Sequence, residues 1–373
     1  MTGLATTTSQ HALLSKDWED WHCHLDRAFT FDDEFFVDEG GLNAYIDAPL
    51  PVKQVALGVL HRGKAYRTEK ILYDRMKPVI LAKLAVGEKV LFAIVDCSPD
   101  IQGRAFRAAL RLRKEFAGKI DIRVGAYPIF GFETFGSDRQ RHLEEIASQA
   151  QFLVGLPERD DKPGNPVGFD GHLAILIDLA IKYDIPLQVH VDQKNDPEEN
   201  GTEQLVEMVH GRMVLIPKEK RPKIYAVHML SPSAYSEDRF WALVRGLKKN
   251  NIGVIVCPRG TLGNRQIRSI HAPTHNSIAR VRELWLAGIE THFGTDNTND
   301  LLMPTPKSPL LAREIGTEFG VIQDALRFYD ETVLDKVARG EHLNQTDLAR
   351  IEDSLKGDYA AYGWFGQRPW RNL

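Results

Sequence analysis

The 373-residue chain has 47 basic and 51 acidic residues, a formal net charge of −4, and is 43% hydrophobic and 26% charged. That is the make-up of a globular protein, and it offers no excess of basic surface for nucleic acid or an anionic membrane. No apolar run approaches the ~20 residues of a membrane span. Three scattered cysteines, Cys23, Cys97 and Cys257, suit a reducing compartment, and the opening MTGLATTTSQHALLSKD lacks a secretory pattern, so the cytoplasm is the expected location.

In chain order, the first expected strand covers 18–24 and carries His22 and His24 in WEDWHCHLD. Residues i and i+2 of a strand share a face, so both imidazoles can reach one ion while Cys23 points away. The segment 30–66 reads as a long mixed loop with FDDEFFVDEGG and DAPLPVKQ, of a kind that covers a pocket or meets a partner subunit. A helix follows over 67–87 with Pro78 as a kink, then the strand 89–96 and a helix over 105–118. Strands are expected at 120–128, 152–156, 186–191, 223–229, 252–258 and 289–296, with helices over 172–184, 238–250 and 277–288. The strands are short, apolar and rich in Val and Ile, as parallel strands buried on both faces are.

Eight strands alternating with helices predict a single (β/α)8 barrel with a core over roughly 18–330 and a helical extension over 331–373. No GxGxxG or GxxxxGK[ST] loop follows a strand, which leaves no nucleotide-binding fingerprint. His190 ends IPLQVHV, His228 ends IYAVHM and Asp296 ends GIETHFGTD. Each alone has a bland structural reading, as a rim histidine or a turn aspartate. In this order, at strand ends, they describe a metal site inside a barrel, and such an ion acidifies water for hydrolysis. His292, further back on its strand, reads as core.

These residues carry a resemblance. HCHLD (22–26), RVGAYPIFG (123–131), HVDQ (190–193), VHMLS (227–231) and AGIETHFGTDNTND (287–300), the last preceded by PTHNSIARVRELW, resemble the amidohydrolase superfamily, cytosine deaminase-like branch, over roughly 18–320. The resemblance implies that His22, His24, His190 and Asp296 hold one divalent transition metal, Zn first, with Fe or Mn accepted by the same ligands. It also implies that His228 stabilises charge on the substrate and that Asp296 takes a proton from water. The end of the fourth strand, FLVGLPERDD, offers no bridging lysine, which favours a single ion.

The departures narrow the substrate. Deaminases of this branch place a proton-shuttling Glu where this chain has Gln193, and an amide hydrogen-bonds but does not relay a proton. Ile129 stands where cytosine deaminase has Gln, and Asn297 follows the metal Asp. The resemblance therefore implies C–N bond hydrolysis on a small nitrogen heterocycle other than cytosine, in a homo-oligomer without the family's common accessory β-sandwich. Gln193 joins His228 and Asp296 as a catalytic candidate. Arg27, Phe130, Ile129, Asn297 and Cys257 are pocket candidates, with Asp192 and Glu158 as substitute acids. Release of an alkylamine, dehalogenation and opening of a cyclic amide stay open beside deamination. So does a binding or regulatory barrel that has lost turnover.

Overall fold

The computed structural model describes residues 17–36, 50–262, 278–302, 328–356 and 369–373, with Gly41, Leu42, Tyr45, Ala48, Ile322 and Leu326. Eight strands form one parallel sheet in sequence order: β1 (Trp18–His24), β2 (Glu88–Asp96), β3 (Asp121–Tyr127), β4 (Phe152–Gly155), β5 (Leu187–Val191), β6 (Ile224–His228), β7 (Ile252–Val256) and β8 (Thr291–Phe293). Neighbouring strands pair in parallel from β1 to β8. Beyond the end of β8, Asp296 bridges back to β1. His24 N donates to Asp296 O (2.6 Å) and Asp296 N donates to His22 O (2.8 Å). This is the expected (β/α)8 barrel, and no second sheet forms among the described residues.

The strands lie where continuous apolar runs put them. β4 to β8 are buried at every position, because the barrel interior takes one face and the helical ring the other. The closing seam needs a glycine. A Cβ on Gly294 would lie 2.5 Å from His22 Cβ and 2.7 Å from its carbonyl oxygen, so only glycine lets β1 and the β8 end approach this closely.

The helices are α1 (Leu50–Arg62), α2 (Glu69–Ala85), α3 (Arg104–Glu115), α4 (Asp138–Ala147), α5 (Gly168–Tyr183), α6 (Gly201–Met213), α7 (Glu237–Lys249), α8 (Pro258–Leu262), α9 (Val281–Leu286), α10 (Glu331–Ala338) and α11 (Gln345–Ser354). α2 starts where Thr68 accepts from Ile71 N, and it runs unbroken through Pro78. α1 corrects the expectation of a plain loop over 30–66, and most of 37–49 lies outside the described residues. The expected helix over 277–288 is seen as α9, and the PTHN part of its motif lies outside the described residues, as do 357–368 of the aromatic C-terminus. No helix among the described residues is long and apolar enough to cross a membrane.

One irregularity shapes the site. The β1–β2 register shifts between Asp20 and Cys23. Strict alternation would set Asp20 on the face of His22. With the shift, Asp20 instead pairs with Lys83 of α2, and Lys83 also donates to Glu88 (3.1 Å) and Thr295 Oγ1 (3.3 Å). Asp20 accepts from His22 N (3.0 Å) and Thr295 N (3.1 Å), which ties the start of the histidine pair to the turn before Asp296.

Candidate metal centre

Three imidazoles meet at the C-terminal mouth of the barrel. His22 Nε2 lies 3.1 Å and His24 Nε2 3.3 Å from His190 Nε2, and His24 Nε2 is 3.6 Å from Asp296 Oδ1. All four side chains are buried. The tautomers follow from the partners. His22 Nδ1 donates to Gln188 Oε1 (2.7 Å), whose own amide donates to Trp21 O (2.9 Å). His190 Nδ1 donates to the carbonyl of Gly155 (2.9 Å). With those protons on Nδ1, both Nε2 atoms carry lone pairs and face one another.

Two acceptors at 3.1 Å repel unless a cation lies between them. A tetrahedral ion with nitrogen bonds of about 2.1 Å sets its ligand nitrogens about 3.4 Å apart, close to the separations seen. The donor set of nitrogens and one carboxylate, with the Nδ1–H groups of His22 and His190 committed to fixed acceptors, fits a zinc-like ion. His22, His190 and His228 form one cluster of potential ligands, His22, His24 and Asp296 a second, and His228, Cys257 and Asp296 a third.

Burial sets the charge state. It lowers His22 to about 3, with His228 adding to the effect, and His228 to about 4. It also holds His24 and His190 well below the usual histidine range. The same burial, with Asp300 nearby, raises Asp296 to about 7. The backbone is strained at the same place: His228, Met229 and Asp296 have φ of 74°, 50° and 65°, in the left-handed region that side chains seldom adopt. Gly260 faces them, and a Cβ there would lie 2.2 Å from Asp296 Oδ2.

The pocket above the histidines is lined by Arg27, Tyr127, Ile129, Gln193, Asn297 and, from α1, Leu50 and Gln54. The 30–66 segment thus supplies a wall of the pocket. Gln193 Nε2 and Asn297 Oδ1 are buried without a partner. Arg27 is buried rather than on the surface and makes two bonds to Asp96 (2.8 and 3.4 Å). Cys257 is buried beside His228 and Asp296. Phe130 is not brought to the pocket: its ring packs on His61 at 5.0 Å. Asp192 is committed to the start of α6, accepting from Gly201 N (2.7 Å) and Thr202 N (3.0 Å), and Glu158 lies outside the pocket lining. His292 stacks on Trp21 at 3.5 Å and pairs with Glu290 (2.8 Å), away from the cluster.

Sequence reasoning missed Gln188, Asp96 and His61. Gln188 had a signal, standing two residues before His190 and therefore on its face. Asp96 had another, as the polar end of the apolar run KVLFAIVD. His61 was hidden in the supposed loop.

No family model matches the chain. An uncharacterized protein of Haemophilus influenzae is 24% identical over 269 residues, covering 72% of this chain and 90% of that protein. Among solved structures, 5-methylcytosine deaminase from Klebsiella pneumoniae liganded with phosphonocytosine is 22% identical, with a TM-score of 0.70 over 90% of this chain and 75% of its own. N-isopropylammelide isopropylaminohydrolase from Burkholderia multivorans is 15% identical, with a TM-score of 0.61 over 90% and 74%. The N6-methyl-AMP deaminase from Arabidopsis thaliana is 14% identical, with a TM-score of 0.56 over 93% and 98%. At these identities the likeness is one of fold: the chain shares the barrel on which these deaminases and this aminohydrolase are built.

Proposed function

We propose that the protein is a metal-dependent hydrolase of the amidohydrolase superfamily that cleaves a C–N bond of a small nitrogen heterocycle and releases ammonia or an amine. The observation that carries this reading is the convergence of His22, His24 and His190 through their Nε2 atoms, with Asp296 at their edge. These four residues would hold one divalent ion, zinc in our reading. When bound, the ion supplies Lewis acidity that makes water a nucleophile at neutral pH. The barrel neighbours, two deaminases and an isopropylaminohydrolase, support the same reaction class.

The side chains divide the remaining work. Asp296, at the edge of the three imidazoles, would accept a proton from the attacking water and return it to the leaving nitrogen. His228 is neutral and can donate a hydrogen bond to the oxygen that develops charge on the attacked carbon. Gln193 Nε2 and Asn297 Oδ1 present one free donor and one free acceptor to the ring edge. An amide at Gln193 suits a ring that needs no separate protonation, such as a triazine, a cyclic amide or an N-alkylamino heterocycle.

The test is product release from zinc-loaded and chelator-stripped protein given aminopyrimidines, aminotriazines and N-alkylaminotriazines. Ammonia or alkylamine should come from the loaded protein alone and return on adding zinc. Equal release by both forms, or none from the whole set, contradicts the reading.

A further inference from the structure

Three neighbouring strand ends bring one polar chain to the pocket. β1 leads into Arg27, β2 ends at Asp96, and β3 ends at Tyr127, which pairs with Asp96 in the sheet. These are the positions from which a barrel presents side chains to its mouth. Asp96 accepts twice from Arg27 (2.8 and 3.4 Å) and once from His61 of α1 (3.0 Å). His61 Nδ1 in turn meets Ser98 Oγ (3.0 Å) and lies 3.4 Å from Asp100. Arg27 is therefore held from behind, by a carboxylate that is itself held.

Tyr127 is the pocket end of this chain. It lines the pocket, and its ring centre lies 5.3 Å from the ring centres of both His24 and His190. The Arg27 guanidinium carbon lies 5.5 Å from the same ring centre, and the polar ends of the two side chains interact. A guanidinium donates and never accepts, so the phenol keeps its own O–H to give. No acceptor takes that hydrogen among the described residues. Tyr127 is 2% exposed. A hydroxyl taken out of water without an acceptor is unfavourable, and phenylalanine would fill the same space without that cost. A ligand that accepts from the hydroxyl accounts for it.

The charges on this wall say what kind of acceptor fits. Against its burial, bonds to Asp100 and Asp96 raise His61 to about 9, so it stands as a second cation beside Arg27. Asp96 and Asp100 face these two cations. Arg159, the next cation, has Glu158 and Asp96 as counter-charges. The described cations on this side of the pocket are thus each faced by carboxylates, which makes an uncharged acceptor the fitting partner for Tyr127.

We propose that Tyr127 is a specificity-determining contact whose hydroxyl donates to an oxo oxygen of the substrate, so that the substrate is an uncharged, oxo-substituted nitrogen heterocycle. This inference rests on the hydrolase reading for the reacting ring, and it adds the substituent that orients the ring beside the ion site. An oxo oxygen is an uncharged acceptor. An exocyclic amino group in its place would set donors against the donor and be rejected.

The experiment is titration calorimetry on the zinc-loaded full chain, wild type beside Tyr127→Phe, with kcat/KM in place of affinity for any ligand that is turned over. The ligands are cytosine and isocytosine, each beside 2,4-diaminopyrimidine, and ammeline beside melamine. In each pair an amino group replaces an oxo oxygen on the same ring. Uracil beside orotate tests the charge. At least one oxo ring should bind wild type more tightly than its amino counterpart, and uracil more tightly than orotate. The oxo preference should fall about tenfold in Tyr127→Phe, while the affinity for the amino ring, the zinc content and the melting temperature stay put. A preference unchanged in the variant, no oxo preference in any pair, or orotate bound more tightly than uracil overturns the proposal. So does a variant that loses its zinc or its fold, because Tyr127 is then structural. Amine release measured on the same samples separates the two readings. Oxo preference in a chain that releases no amine would sink the hydrolase and spare the contact. Amine release without oxo preference would do the reverse.

Discussion

Two groups of buried polar side chains flank β1, and they are finished differently. On the outer side, Lys83 donates to Asp20, Glu88 and Thr295, and Asp20 in turn holds His22 N and Thr295 N. On the inner side, three Nε2 atoms face one another, and Gln193 Nε2 and Asn297 Oδ1 lack partners. Apart from Glu88 Oε1, the outer group closes on itself and fixes the backbone. The inner group is left open, which is costly unless a metal and a substrate complete it. The contrast teaches that a polar cluster is read as structural or functional by its unused valences, since both of these are equally buried.

Substitutions that affect one side only sharpen that contrast. The largest effect is expected from Asp296→Asn, which should lower turnover by about 10²–10⁴-fold as the proton acceptor is lost. Because Asp296 resists ionisation in its pocket, the metal-free variant should melt no lower than metal-free wild type. A clear loss of melting temperature would put Asp296 on the structural side. Lys83→Met should do the opposite: leaving Asp20 and Glu88 buried and unpaired is expected to cost about 3–5 kcal/mol in denaturant unfolding. If unfolding is unchanged, the outer group is not the brace described here.

Smaller effects test the link between the two sides. Gln188→Leu removes the acceptor of His22 Nδ1 and should weaken metal affinity by about 10–100-fold in a competition titration, with the fold intact. Unchanged affinity would mean that the tautomer of His22 is set elsewhere. The smallest effect is expected from Gln193→Glu, which should keep or gain activity on aminopyrimidines. If it loses all activity on the true substrate and gains none, Gln193 is a binding contact and the proton-relay argument fails.

The barrel was legible in the sequence because a parallel strand buried on both faces must be an unbroken apolar run, and eight such runs occur between helical stretches. His190 and His228 stood out as polar ends of those runs. What was hidden depends on tertiary detail. The register shift in β1 sends Asp20 to Lys83, although alternation alone would place it with His22. α1 was obscured because LPVKQVALGVLHR mixes a proline and a glycine with a weak apolar stripe.

The most direct measurement is metal content by elemental analysis of protein purified without added metal, beside His190→Ala. His190 contributes the nitrogen that both other imidazoles approach. About one transition-metal ion per chain is expected in wild type, falling to near zero in the variant while its far-UV circular dichroism is unchanged. A wild-type chain that holds no ion even after reconstitution, or a variant that holds it as well as wild type, contradicts the account.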